Sequence, residues 1–286
     1  MTTQGGAAVA NAADQADRAP KTVKGSPKWG DVVLRVVAAL VLLYLFLPIF
    51  VIILFSFNDP KGKFNYSWQG FTLKNWLDPF KYPALTDALV LSINVAAVST
   101  AIALVLGTLV AIALVRQRFR GSQTVDTFLV LPLTAPEVVM GASLLVLFLD
   151  LRWATGYTTI LLAHIAFEVS FIAMTVRARM RGFDWTLEDA SMDLGANPTR
   201  TFFKVTLPLI VPGIIAAGML SFALSLDDFI ITYFVSGSTV TYPLYVNASV
   251  KASVPPQINV LATAILLISL ILLSAGTLYR RKRLDV

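Results

Sequence analysis

Residues 182–208, GFDWTLEDASMDLGANPTRTFFKVTLP, decide how the rest of the chain is read. They form a polar interruption between two apolar runs, and they are too patterned to be a simple turn. Arg177, Arg179 and Arg181 precede the stretch, and LPLIVPGI opens the next apolar run. Leu187, Ala190 and Leu194 fall at helical spacing, with Asp189 and Asp193 beside them. Gly195-Ala196-Asn197-Pro198 then stops that helix, a glycine cap followed by a helix-breaking proline. Residues 199–205 predict a second short turn of helix, closed by Pro208. A helix–glycine–helix knob between two membrane-length runs is an odd thing to keep in a bundle; it has the form of a handle that another protein holds.

Outward from this handle, composition confirms a membrane setting. Of 286 residues 56% are hydrophobic and 14% charged, where soluble domains carry about 25% charged residues. The absence of cysteine excludes disulfides, thiol chemistry and Cys-ligated zinc, and a single histidine argues against a His-based metal site or catalytic triad. The formal charge of +6 would suit nucleic acid, but the basic residues sit at the ends of apolar runs, which marks membrane topology. Nucleic acid is therefore not an expected partner.

Residues 1–28, rich in Ala, Gly, Gln, Asp and Lys without apolar period, read as a disordered cytoplasmic tail and lack the pattern of a cleaved signal peptide. Residues 29–286 read as one all-α membrane domain of six spans, at about 32–57, 85–115, 125–149, 157–176, 209–235 and 258–279. Pro48 lies inside the first span, Pro132, Pro136 and Glu137 inside the third, and His164 and Glu168 inside the fourth. Small residues along the second (Ser92, Ala96, Ser99, Ala103, Gly107, Ala111) suit close helix–helix contact. The loop 58–84 carries Tyr66, Trp68, Phe71, Trp76, Phe80 and Tyr82, either an interfacial aromatic belt or a docking surface for an extracytoplasmic partner.

Orientation follows from basic residues. One side collects Arg18, Lys21, Lys24, Lys28 and Arg35, then Arg116, Arg118 and Arg120, then Arg177, Arg179, Arg181, Arg200 and Lys204, then Arg280, Arg281, Lys282 and Arg283. The other has only Lys61, Lys63, Lys74, Lys81, Arg152 and Lys251. The positive-inside rule places both termini and the handle 182–208 in the cytoplasm.

The handle resembles the EAA loop of bacterial ABC-importer permeases, E-A-A, three residues, G, nine residues, I-x-L-P. Asp189-Ala190-Ser191 stands at E-A-A, Gly195 at the glycine and Val205-Thr206-Leu207-Pro208 at I-x-L-P; Glu188 lies one residue early, so which acid meets the partner stays open. SFN at 56–58, WQGFTLKNW at 68–76, RFRG at 118–121, LSFALSLDDF at 220–229 and NVLATAILLISL at 259–270 resemble the spermidine/putrescine permease subunits, of the second, shorter type. The resemblance implies a type I ABC-importer permease in a bacterial inner membrane. Its implied partners are a sister permease, two ATPase subunits and an extracytoplasmic substrate-binding protein. In the family the EAA loop seats in a groove of the ATPase, which assigns Glu188, Asp189, Ala190, Ser191, Gly195, Leu207 and Pro208 to coupling. No cofactor is expected in this chain; ATP and Mg2+ belong to the ATPase, and the chain has no P-loop of its own.

Asp227 and Asp228 are the sharpest feature of the membrane part. A carboxylate near a bilayer centre costs roughly 2.5–3.5 kcal/mol on insertion scales, so it faces a cavity or a partner. A polyamine is a thin chain of ammonium groups, and a path for it needs acids with aromatic faces nearby. Asp227, Asp228, Glu137, Phe229 and Tyr233 are therefore the candidate substrate pathway. For the aspartates the alternative is that one caps or pairs structurally at a helix break; for Glu137 it is satisfying the backbone freed by Pro136. His164 and Glu168, at i and i+4, are expected to bond each other. The competing functions are a permease of the same fold for another small solute and a proton-coupled carrier using Glu137, His164, Glu168, Asp227 and Asp228. The second would leave the cytoplasmic handle without a use, and no internal repeat is apparent.

Overall fold

The computed structural model describes residues 29–117 and 119–284, with side chains described to residue 271. The tail expected over 1–28, with Arg18, Lys21, Lys24 and Lys28, lies outside the described residues, as do Arg118 and the side chains of Arg280, Arg281, Lys282 and Arg283. The described residues are helical, with no strand beyond two isolated bridges, Asn58 to Phe71 and Phe64 to Val254. By contact the chain divides into two units between Leu54 and Phe55. The first is essentially α1, Trp29–Ser56, an apolar helix that carries Pro48 internally.

The second unit is built around three long helices: α3 (Pro83–Arg116), α6 (Tyr157–Met180) and α9 (Leu207–Asp227). The short α2 (Lys74–Leu77) precedes them. They meet through small residues: Ala103, Ala111 and Ala217 are buried in one core with Ile172, Val176 and Ile210. Gly107 shows how close the approach is, since a Cβ there would stand 2.9 Å from the Ile172 side chain and from the Val169 carbonyl oxygen. The expectation that the small face of 85–115 is a packing face is met.

Four described helices are long and apolar enough to cross a membrane, Trp29–Ser56, Pro83–Arg116, Tyr157–Met180 and Pro198–Asp227. The expected third span, 125–149, is not one helix. It divides into α4 (Ser122–Thr134) and α5 (Glu137–Asp150), bent by 111° about Ala135-Pro136. Proline at 136 forces the residue before it out of the helical region, and Ala135 accordingly sits at φ −67°, ψ 137°. Counted as one span, the bent pair makes five. The expected sixth corresponds to α12 (Pro256–Leu284), whose described apolar part, Pro256–Ile271, is shorter.

The fifth expected span ends early. Helix α9 stops at Asp227, the chain turns at Asp228 and Phe229, and a six-residue helix α10 (Ile230–Val235) begins. Helix α11 (Tyr242–Ala252), between the expected fifth and sixth spans, then packs against α3 and α12. Tyr242 fixes it: its amide donates to Ser92 Oγ at 2.8 Å and its hydroxyl to the Ile258 carbonyl at 3.1 Å, while burial pushes the phenol up to about 12. The aromatic loop is also ordered from within. Asn58 is fully buried and Asn65 nearly so; Asn58 donates to Asn65 Oδ1 at 2.6 Å and accepts from the Gln69 amide at 2.7 Å. Trp76 stacks on Phe57 at 5.5 Å and donates to Ser56 Oγ. Tyr66, Trp68, Phe71 and Phe80 remain exposed.

Candidate functional site

The handle is built as its sequence dictates on its first half. Helix α7 (Thr186–Asp193) ends in paired bonds, Gly195 N–H to Met192 O and Ala196 N–H to Ser191 O, with Gly195 at φ +87°. That is the glycine-terminated cap in which a left-handed residue satisfies the last carbonyls. Asn197 starts the next helix, α8 (Pro198–Thr201), by accepting from the Arg200 amide at 2.8 Å. The second half differs from expectation. Pro208 does not close a separate turn, because residues 202–206 form a π turn that leads straight into α9. Leu207 N–H reaches back five residues to Phe202 O, and this widening accommodates a proline that lacks its own amide and would crowd Lys204 O in an α-helix.

The coupling candidates separate by exposure. Asp189 and Ala190 are exposed, and Leu194 at the tip is 90% exposed, too open for a residue that packs within its own chain. Leu187, Ala190, Ser191, Leu194 and Gly195 line a groove of about 500 Å³ with Arg200. Glu188 is turned inward instead, accepting from Arg116 and from the Thr206 hydroxyl. Leu207 packs on the core of α3, α6 and α9, and Pro208 is exposed.

The membrane part contains a cavity of about 950 Å³. The bend at Ala135-Pro136 aims Glu137, first residue of α5, into it, and the end of α9 places Asp227 there. Both side chains are open to the cavity, and Phe167, Phe171 and Phe229 supply aromatic walls. Asp228 also lines it but is committed to structure. Its Oδ2 accepts from the Thr232 amide at 2.8 Å and the Thr232 hydroxyl at 2.7 Å, capping α10, and His164 Nε2 stands 3.3 Å away. Tyr233 is not among the lining residues; it is 62% exposed with its ring 5.7 Å from Phe229.

His164 and Glu168 do not bond each other. Both are fully buried, and each takes partners from other helices. His164 Nδ1 meets Ser225 Oγ at 2.6 Å and its Nε2 meets Thr232 Oγ1 at 2.9 Å. Glu168 accepts from the Thr100 hydroxyl at 3.1 Å. Ser225 also meets Ser99 at 3.3 Å, so a chain of polar contacts joins α3, α6, α9 and α10. The sequence held one trace of it: Ser221 and Ser225 share an α9 face at i, i+4, and Ser99 lies on the packing face of α3. No cluster of His, Asp or Glu able to hold a metal ion occurs among the described residues.

Comparison with known proteins follows the same lines. The family described as binding-protein-dependent transport system inner membrane component matches residues 103–282. The chain is 39% identical over 241 residues to the spermidine/putrescine transport system permease protein PotC of Escherichia coli K12, covering 84% of this chain and 90% of that protein. It is 38% identical over 241 residues to PotC of Haemophilus influenzae, covering 84% and 93%. To the putrescine transport system permease protein PotI of Escherichia coli K12 it is 40% identical over 231 residues, covering 78% and 82%. Among solved structures, a bacterial ABC transporter involved in the import of the acidic polysaccharide alginate superposes with a TM-score of 0.60 at 15% identity, over 90% of this chain and 99% of that one. At that identity the likeness is one of fold.

Proposed function

The chain belongs to the binding-protein-dependent transport system inner membrane component family, and on that footing we propose that it is the amine-conducting transmembrane subunit of an ATP-driven polyamine importer. It is a multi-pass permease subunit and not an enzyme. The observation that carries the amine reading is the cavity in which Glu137 and Asp227 stand open among Phe167, Phe171 and Phe229. Carboxylates in an apolar wall attract an organic cation, and aromatic faces hold the ammonium groups between them without trapping them in fixed ion pairs. Spermidine and putrescine are the substrates named for the relatives, and the cavity chemistry suits both.

The energy enters elsewhere. ATP and Mg2+ are bound by two partner ATPase subunits, which grip the handle through exposed Asp189 and the Leu187, Ala190 and Leu194 surface. Both termini and the handle lie in the cytoplasm in this reading, which the surplus of basic residues on that side supports. The exposed aromatics of the loop 58–84 face the substrate-binding protein, and a sister permease completes the pathway. Closure of the ATPases moves the handles, and the packed helices follow as rigid bodies to alternate access to the cavity.

Uptake of labelled spermidine and putrescine by vesicles holding the whole complex, with and without ATP, tests this. ATP-dependent uptake, competed by either amine, is the expected result. Uptake that persists in ATP-free vesicles with a proton gradient would replace it with a secondary carrier.

A further inference from the structure

The handle has contacts of its own that its role as a grip does not use. Glu188 is adjacent to exposed Asp189, yet its side chain is only 13% exposed. One of its carboxylate oxygens, Oε1, accepts from two donors: Arg116 Nη2, at the last residue of α3, and the hydroxyl of Thr206, which is fully buried in the π turn. The Arg116 guanidinium also lies 5.6 Å from the Trp185 ring centre and 5.8 Å from that of Phe202. Trp185 in turn packs with Phe183, at 4.6 Å between ring centres, against the core of α3, α6 and α9. A planar cation set against two rings and charge-paired to a mostly covered acid is a fixed joint, not a passing surface contact.

Its position in the chain gives the joint a use. The handle is connected covalently to α6 on one side and to α9 on the other. Helix α3 is not its neighbour in sequence; Arg116 and Glu188 are 72 residues apart. Building on the coupling function proposed above, we propose that the Arg116–Glu188 pair is a latch that makes the handle and α3 move as one piece. Displacement of the handle then reaches the interior along α3 as well as through α6 and α9. Seventeen and sixteen residues back along that helix, about 25 Å at 1.5 Å per residue, sit Ser99 and Thr100, which contact Ser225 and Glu168. Ser225 is two residues before Asp227, which lines the cavity. Of the two neighbouring acids in the handle, Glu188 is thus the internal positioning residue and Asp189 the one left to meet the ATPase.

The test uses the complete importer in vesicles, comparing Arg116→Glu, Glu188→Arg and the two together. Each single exchange is expected to lower amine transported per ATP hydrolysed by roughly fivefold or more, with ATP turnover and assembly kept, and the double exchange to restore most of that ratio. Arg116→Lys keeps the charge but loses the planar face against Trp185 and Phe202, so it should fall between. Single exchanges that transport at the unaltered ratio, or a double exchange no better than either, overturn the latch. Should the unaltered complex show no ATP-driven uptake, the proposed function itself fails. The latch is then read from thermal unfolding of Arg116→Ala, Glu188→Ala and the double variant: strictly additive losses overturn it and non-additive losses support it. Should the charge exchanges fail to assemble, Glu188→Gln, which keeps an acceptor for Thr206, takes their place under the same criterion of transport per ATP.

Discussion

Asp227 and Asp228 are neighbours in sequence that the end of helix α9 sends to different tasks. Asp227 is the last helical residue and opens onto the cavity that Glu137 also lines. Asp228, at φ −61° and ψ 118°, has left the helix, and its carboxylate folds forward onto the amides of Ile231 and Thr232. On an unbroken helix the pair would diverge by about 100°. Here the break does the sorting, and it leaves one acid for a cation and one for the backbone.

Replacing each aspartate separately by Asn should therefore give different failures. Asp228→Asn weakens the cap of α10 and the contact with His164, a loss of about 1–2 kcal/mol, and should appear as a lower unfolding temperature of the purified complex. Asp227→Asn should leave that temperature unchanged and lower amine uptake by roughly tenfold. Equal effects of both variants on stability and uptake would show that the helix break does not divide the roles.

Glu137 lines the same cavity as Asp227 but is supplied by a different helix, so the cavity offers a second carboxylate to a second ammonium group. Glu137→Gln should weaken competition by spermidine and putrescine more than by a monoamine of similar length, by roughly tenfold for the polyamines. Competition assays with a series of mono-, di- and triamines would measure it. A uniform loss across the series would mean that Glu137 sets the general field of the cavity and not a particular contact.

Local chemistry was legible in the sequence and long-range choice was not. The glycine cap at Gly195, the stop at Asn197-Pro198 and the small face of α3 all depend on residues within a few positions, and each appears as read. The apolar runs singled out the aspartates and Glu137, because a carboxylate there requires a reason, and all three line one cavity. The i, i+4 rule failed for His164 and Glu168 because Thr100, Ser225 and Thr232, all more than sixty residues off, offered better geometry than the neighbour one turn away. Prolines misled in both directions. Pro136 broke a run that looked long enough to span, while Pro208 was absorbed by a π turn that leaves no mark in hydrophobic periodicity.

The short helix α10, whose Ile230 and Ile231 line the cavity, is held at close range, and Gly141 on α5 reports that distance. A Cβ at 141 would stand 2.7 Å from Phe234 Cδ2 and 3.3 Å from the Ile231 Cα, and the second is backbone that cannot rotate away. Gly141→Ala should cost about 1–3 kcal/mol through overpacking, and Gly141→Leu should prevent assembly. Gly182→Ala, where nothing lies within 4 Å, is the matching control and should be neutral in the same thermal assay.

Gly195 offers the cleanest separation of fold from coupling. No neighbour lies within 4 Å of the position a Cβ would take, so substitution causes no clash; the difficulty is φ +87°, which a side chain disfavours by roughly 1–2 kcal/mol. The three core clusters of the membrane part do not include the tip of the handle, so that strain is released locally by tilting α7 against α8. Gly195→Val should leave expression and substrate capture by the binding protein intact while ATP-driven uptake falls by tenfold or more, roughly the loss that misplacing a docking surface produces. Gly195→Asn, which tolerates the left-handed region, should keep most of the activity. A valine variant that pumps normally would mean that the geometry of the handle tip does not matter to the motor, and would remove the main support for its role in coupling.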